Sequence, residues 1–542
     1  MPSNPASSQG TLYPERSMTS VLLTADAVRD AAAVHGNAVL VEDGVIAAVG
    51  RAEDLRRPGL AERHLGGVIV PGLRDAHFHP VGHAASLQGI SLGGAAELAE
   101  VAAVLAEESA RRPAGAGLLA LRLDDEALAE GRLPDRHFLD RAGGGRPVLV
   151  IRHCGHIAVA STAALEVAGI GLDTEDPPGG SLDRDDDGRP SGVLRETAVS
   201  LVASAVQPLV PALTPEDLVG AVASLAGVGL TGLGAIVSVG QGLWGGGDSE
   251  LDLLREAAPD LVLPLRVLVI AETPGELEAA AGRLGRAGPM VSFLGLKLFA
   301  DGSLGGHTAA LRRPYADRPD TTGLLRLEAG WAREMVGGAA SLGGAVAVHA
   351  IGDAALAAVL DGFEEALDAG MEPQRLRVEH ASVAPPEEVR RLAALGVTAC
   401  IQPSFLPSDG PWLEARLGTE RLSHTYNFAT LAAAGVPLAG GSDCPVEPPH
   451  PLWGMARARD RAGFLPHEGL TGAQALDLFT RGAARAIGEE ASLAPGAPAT
   501  LTVLDGDPVT AKPAALERMG VLGVFVAGRE LPRPPVGSAW RG

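Results

Sequence analysis

Eight short apolar runs, separated by Ala/Leu-rich segments, constrain the fold of this chain more than any other feature. They are VIVPGLRDAHFH, TGLGAI, PLRVLVIA, LGLKLFAD, GAVAVHAIGD, RLRVEHA, GVTACIQP and VPLAGGSD, between residues 68 and 443. Segments between them, such as PGELEAAAGRLGRAG and PEEVRRLAALG, repeat apolar residues at three- and four-residue spacing, the pattern of a helix with one buried face. Strands that alternate with helices pair in parallel, because each helix carries the chain back across the sheet. Eight such units predict an α/β fold, a (β/α)8 TIM-like barrel over 71–487. A long insertion, 84–228, follows the first strand.

The two ends read differently. VLLTADAV, NAVLVEDG and VIAAVG near the start, and TLTVLDGD and VLGVFVAGREL near the end, are short strands with Asp-Gly and Gly turns. Together 19–70 plus 488–542 predict a small β-sandwich domain formed from both termini. Residues 1–18 are polar and Pro/Ser-rich and lack the apolar core of a signal peptide, so they read as a disordered tail. The formal net charge of −22 argues against nucleic acid or an anionic membrane as partner. Three cysteines are too few for a disulfide framework, and a reducing cytoplasm is the expected location. The expected partner is a small-molecule substrate, with a homo-oligomer left open.

In a parallel barrel, polar residues at the C-terminal strand ends converge on one site. Here the runs end in His77 and His79, Lys297, His349, His380 and Asp443. His77 and His79 stand two apart in DAHFHP, so on a strand their side chains share one side. Imidazole nitrogens suit zinc, iron, nickel or copper better than calcium or magnesium. Of the 44 basic residues only Lys297 and Lys512 are lysine. Where charge alone is wanted this chain uses arginine, and Lys297 lies in an apolar run. A buried primary amine can shed its proton and act as a nucleophile, which a guanidinium cannot. A chance survivor or a buried ion pair accounts for the same observation equally well.

The motifs PGLRDAHFHP, RHCGHIAVAS, DPPGGSLDRDDDGRPSGVLRETA, LKLFADGSLGGHTAAL, VHAIGDAAL, RVEHASV, AGGSDCPVEPPHPL and SLAPGAPATLTVLDGDP resemble the amidohydrolase superfamily. They are closest to its amidohydrolase-3 branch of YtcJ-like proteins and N-substituted formamide deformylases. The resemblance covers nearly all of the chain after residue 19. It implies that His77 and His79 bind the more buried of two metals and His349 and His380 the second. It implies that Lys297 is the strand-four lysine, carboxylated in many members into an anionic bridge between metals. Asp443 would contact the metal-bound water and shuttle its proton. His156, Glu196, Asp301 and Ser303 are implied as substrate or supporting contacts. Zinc, as one or two ions, is the first candidate cofactor.

There are departures from the family pattern. His153-Cys154-Gly155-His156 stands where Asp-Gly-His is common, and Cys444 follows Asp443 where alanine is common. Cys444 reads as a packed thiol, and Glu196 as the partner of a nearby arginine. Asp75 is one candidate to hold a histidine from behind, although such an aspartate more often caps a turn. Phe78, Trp244, Phe299, Phe405, Trp412 and Trp453 are candidates to wall an apolar pocket, and ordinary packing accounts for most of them as well.

The implied activity is metal-dependent hydrolysis of a C–N bond, other than a peptide bond, in an amide-like small molecule. A metal-bound hydroxide would attack while Asp443 moves the proton, with an N-substituted formamide as one candidate substrate. The alternative is a non-catalytic metal-containing barrel that binds a small molecule. A third reading, a metal-free hydrolase with Cys444 or Ser442 as nucleophile, lacks the G-x-S-x-G elbow.

Overall fold

The computed structural model describes residues 20–153, 155–177, 180–240, 250–327 and 330–533; the expected tail, 1–18, lies outside them. Eight parallel strands form the central sheet. They are β1 Leu73–Phe78, β2 Leu230–Ser238, β3 Leu265–Ile270, β4 Val291–Phe299, β5 Ala345–Ala350, β6 Leu376–His380, β7 Thr398–Ile401 and β8 Leu438–Gly440. They pair in chain order, each with the next. All eight apolar runs of the sequence supply a strand of this barrel.

The sheet nearly closes between β8 and β1. The seam is held just past β8, where Phe78 and Cys444 form a parallel bridge. Asp443 N–H donates to His77 O at 2.8 Å, and His79 N–H donates to Cys444 O at 3.0 Å. Gly441 makes this approach possible. A Cβ built there would lie 2.7 Å from His77 Cβ and 2.9 Å from His77 N, closer than packed atoms tolerate.

The helices follow from the sequence. Pro386–Leu395 starts with proline in its first turn and ends at Gly396, with φ 68°, the residue types suited to those positions. It buries Val389 and Leu392, each contributing roughly 1.5–3 kcal/mol relative to exposure. Pro274–Leu284 is capped by Thr273, which accepts from Glu276 N–H, and buries Leu277, Ala280 and Leu284. Both carry the barrel's outer core.

The first apolar run is divided. Val68–Pro71 is one strand and Leu73–Phe78 another, and they belong to different sheets. Val68–Pro71 pairs antiparallel with Leu501–Leu504, which joins the two ends of the chain. The described strands of 21–71 and 501–530 form one eight-stranded hydrogen-bonded sheet, where the sequence reading expected a sandwich. Between β1 and β2, six strands from Ile90 to Glu196 form a further mixed sheet with its own apolar clusters. No helix among the described residues is long and apolar enough to cross a membrane.

Candidate metal centre

β1 ends at Phe78, and His79 is the residue that opens helix Pro80–Gln88. The chain turns there, yet both imidazoles reach one point. His77 Nε2 lies 3.2 Å and His79 Nε2 3.1 Å from Asp443 Oδ1. These separations match the edge of a coordination shell with bonds of about 2.0–2.2 Å. Two imidazoles and a carboxylate are also the donor set that zinc-type ions take. By distance and chemistry a divalent cation therefore fits among them.

The other two strand-end histidines adjoin this group. The ring centres of His77 and His380 are 5.0 Å apart, and those of His380 and His349 4.5 Å. His380 Nδ1 donates to Gln402 Oε1 at 2.8 Å, which leaves Nε2 turned toward Asp443 Oδ2 at 4.0 Å. His349 Nε2 donates to Gly302 O at 2.9 Å, so Nδ1 is its nitrogen for a metal. His380 has φ 72° and Asp443 φ 58°. Such backbone costs a non-glycine residue about 1–3 kcal/mol and collects at functional sites.

Lys297 starts lower in the barrel. It pairs with Ala347, whereas Phe299 pairs with His349, so its long side chain rises from a deeper layer. The amine is fully buried and sits 3.7 Å from the centre of the Phe299 ring. Burial pulls its pKa down to about 8, against the pull of Glu379 and Asp443. Its charge is felt by His79, His349 and His380. The six predicted residues thus share one end of the barrel.

Burial and neighbouring charges set the histidines apart. Burial lowers the pKa of His79, His349 and His380, which keeps them in the neutral, metal-binding form. Burial also pulls on His77, but Asp443 and Glu379 outweigh it and raise its pKa. Burial pushes the Asp443 carboxyl up, yet His77 and then the hydrogen bonds to His77 and His79 hold it well below the usual range.

The supporting residues are only partly those expected. Asp75 does not hold an imidazole: its carboxylate accepts from the backbone N–H of His77 at 3.1 Å and of Ser442 at 3.0 Å. It ties β1 to the segment after β8. Asp301 accepts from the N–H groups of Ala310, Ile351 and Gly352 at 2.8–3.0 Å and stands 3.3 Å from His349 Nε2. Ser303 lines the adjoining cavity. Glu196 accepts from His156 Nδ1 at 2.9 Å and from Thr308 Oγ1 at 2.5 Å, whereas Arg326 is 3.8 Å away. Its main partner is therefore a histidine rather than the expected arginine. Burial opposes, but His156 and Thr308 hold its carboxyl down to about 2. His156 lines the cavity, with its ring 5.5 Å from that of His349, so the insertion delivers a side chain to the barrel mouth.

A small cavity of about 40 Å³ lies beside His349, His380 and Asp443. Phe405 and Trp412 line it as expected, joined by Tyr426, Leu304 and Ile351. Phe78 is instead fully buried against His83, and Trp453 packs under Arg457. Trp244, like Cys154, lies outside the described residues. Cys444 Sγ is buried 3.5 Å from His83 Nδ1, and burial pushes its thiol well above the usual range. That is the environment of a packed thiol rather than a nucleophile.

The sequence reading missed Glu379 and Gln402. Glu379 Oε2 lies 2.5 Å from His77 Nδ1. The signal for it was an arginine and a glutamate two apart inside the apolar strand LRVEH, since a charge buried in a barrel wall requires a partner.

A family model described as "Amidohydrolase family" matches residues 65–532. YtcJ of Bacillus subtilis (strain 168) is 33% identical over 91% of this chain and 95% of its own. The N-substituted formamide deformylase of Arthrobacter pascens is 28% identical over 91% of this chain and 94% of its own. An uncharacterized metal-dependent hydrolase from Pyrococcus horikoshii OT3 superposes with a TM-score of 0.73 at 28% identity, covering 92% of this chain and 99% of its own. The chain belongs to the amidohydrolase family.

Proposed function

We propose that the protein hydrolyses the C–N bond of an amide-like small molecule with zinc held by His77, His79 and Asp443, and with His349, His380 and Lys297 completing the centre. One observation carries this reading: His77 Nε2 and His79 Nε2 meet the same oxygen of Asp443 at 3.2 and 3.1 Å. When bound, such an ion activates water at neutral pH and polarises a carbonyl.

The residues of the chain do the rest. Asp443 Oδ2 is the oxygen not shared by His77 and His79, and Asp443 lines the cavity. Held anionic, it takes a proton from the attacking water and passes it to the leaving nitrogen. Phe405, Trp412 and Tyr426 offer an apolar wall to the substituent on that nitrogen and exclude water from it. His156, steadied by Glu196, contacts the substrate from the insertion side. Asp301 and Ser303 fix the turn after β4. The low pKa of Lys297 leaves part of its amine neutral. That amine can attack carbon dioxide and lose a proton, which makes an anionic carbamate as a further ligand.

The similarity to an N-substituted formamide deformylase and the apolar wall make N-substituted formamides the first substrates to assay. Purified protein is stripped with a chelator, reloaded with zinc, and assayed on a panel of formamides and longer amides. Activity should vanish on stripping and return on reloading. Turnover that is indifferent to the chelator contradicts the proposal.

A further inference from the structure

The proposed reaction gives no task to Arg377 and Glu379, two charged side chains buried on β6 at 2% and 0% exposure. Glu379 Oε1 receives Arg377 Nε–H at 2.5 Å, and Oε2 lies 2.5 Å from His77 Nδ1. A carboxylate paired with a guanidinium only accepts, so Nδ1 carries the proton. Arg377 is in turn anchored to the frame. Its Nη2 donates to Ala76 O at 2.7 Å and its Nη1 to Ala486 O at 2.9 Å. Ala76 is the residue before His77, so one guanidinium fixes both the backbone leading to His77 and the carboxylate behind its ring.

We propose that Glu379, clamped by Arg377, is a positioning residue for the metal centre, acting through His77. It fixes the Nδ1–H tautomer, aims Nε2 toward Asp443, and strengthens the imidazole as a donor. The other strand-end histidines make their short bonds to neutral oxygens, His380 to the Gln402 amide and His349 to the Gly302 carbonyl, with the Asp301 carboxylate farther from His349 at 3.3 Å. His77 is held by a full negative charge. A buried ion pair serving stability alone gains little over apolar packing and has no need to turn its second oxygen onto a ligand's ring.

This inference rests on the metal reading above, and its test separates the two. The zinc dissociation constant of metal-free full-length protein is measured by competition with a chromophoric chelator, beside the thermal midpoint of the same metal-free sample. Glu379→Gln keeps the shape and removes the charge. It should bind zinc about 10–100-fold more weakly than the wild type, with its visible cobalt spectrum shifted and its metal-free midpoint little changed. Glu379→Asp keeps the charge that Arg377 needs but withdraws it from Nδ1, so it should weaken zinc binding even if the glutamine variant does not fold. A folded variant that binds zinc within about twofold of wild type overturns the positioning role alone. A wild-type protein that binds no zinc overturns the metal reading and this inference with it.

Discussion

Asp443 donates its backbone N–H to the carbonyl oxygen of His77 at 2.8 Å, while its carboxylate stands 3.2 Å from the Nε2 of the same residue. The main chains of these two residues close the barrel seam and their side chains build the metal site. The same two residues thus serve both the closure of the fold and the centre.

Gly441→Ala tests that coupling. The new methyl would press on His77 Cβ at 2.7 Å, and overpacking of this kind costs about 1–3 kcal/mol. Urea unfolding should show the loss, and metal content should fall with it because β1 moves away from Asp443. An alanine variant of wild-type stability that has lost its metal would separate the two roles.

Asp443→Asn should leave the seam intact, since the bond to His77 O uses only the backbone N–H. It removes the charge that receives and returns the proton. Turnover on an active amide should drop about 10²–10⁴-fold, and the thermal midpoint should fall as well, because His77 and His79 lose their buried carboxylate partner.

The cavity contains a titrating group apart from the metal ligands. Burial raises the Asp409 carboxyl to about 7, against the hydrogen bond from Tyr426 Oη. The folded protein thus holds a proton on Asp409 that the unfolded chain has lost above about 4. Stability from this group is fully present below about 4 and lost as pH rises toward 7. Asp409→Asn can still accept from Tyr426 but cannot ionise. In urea melts the gap between variant and wild type should move in the variant's favour from pH 4 to pH 7.

Phe405→Ala enlarges the wall beside His380, where the two rings stack at 5.9 Å. It should raise KM for amides with aromatic N-substituents about 10-fold or more, the effect of losing one well-packed apolar contact. Amides with a methyl substituent should be much less affected.

The barrel was legible because each strand is a compact apolar run, and six of its polar ends are the residues that gather at the mouth. The short run Val68–Phe78 could not be divided by composition. Only the pairing of Val68–Pro71 with Leu501–Leu504 shows that Gly72 separates two sheets. The hold on His77 was hidden for a similar reason. Glu379 is 302 residues away in the chain, and adjacency across a barrel leaves no local spacing to read. Asp75 and Glu196 were singled out, but their partners are a backbone N–H pair and a histidine from the insertion, neither of which periodicity can specify.

The most direct measurement is the metal content of freshly purified full-length protein, by mass spectrometry of the elements, beside that of a His77→Asn variant. The centre described here requires about one to two equivalents of a zinc-type ion in the wild type and its loss from the variant. A folded wild-type protein with less than about a tenth of an equivalent after growth with ample zinc, or a variant that keeps its full complement, contradicts the account.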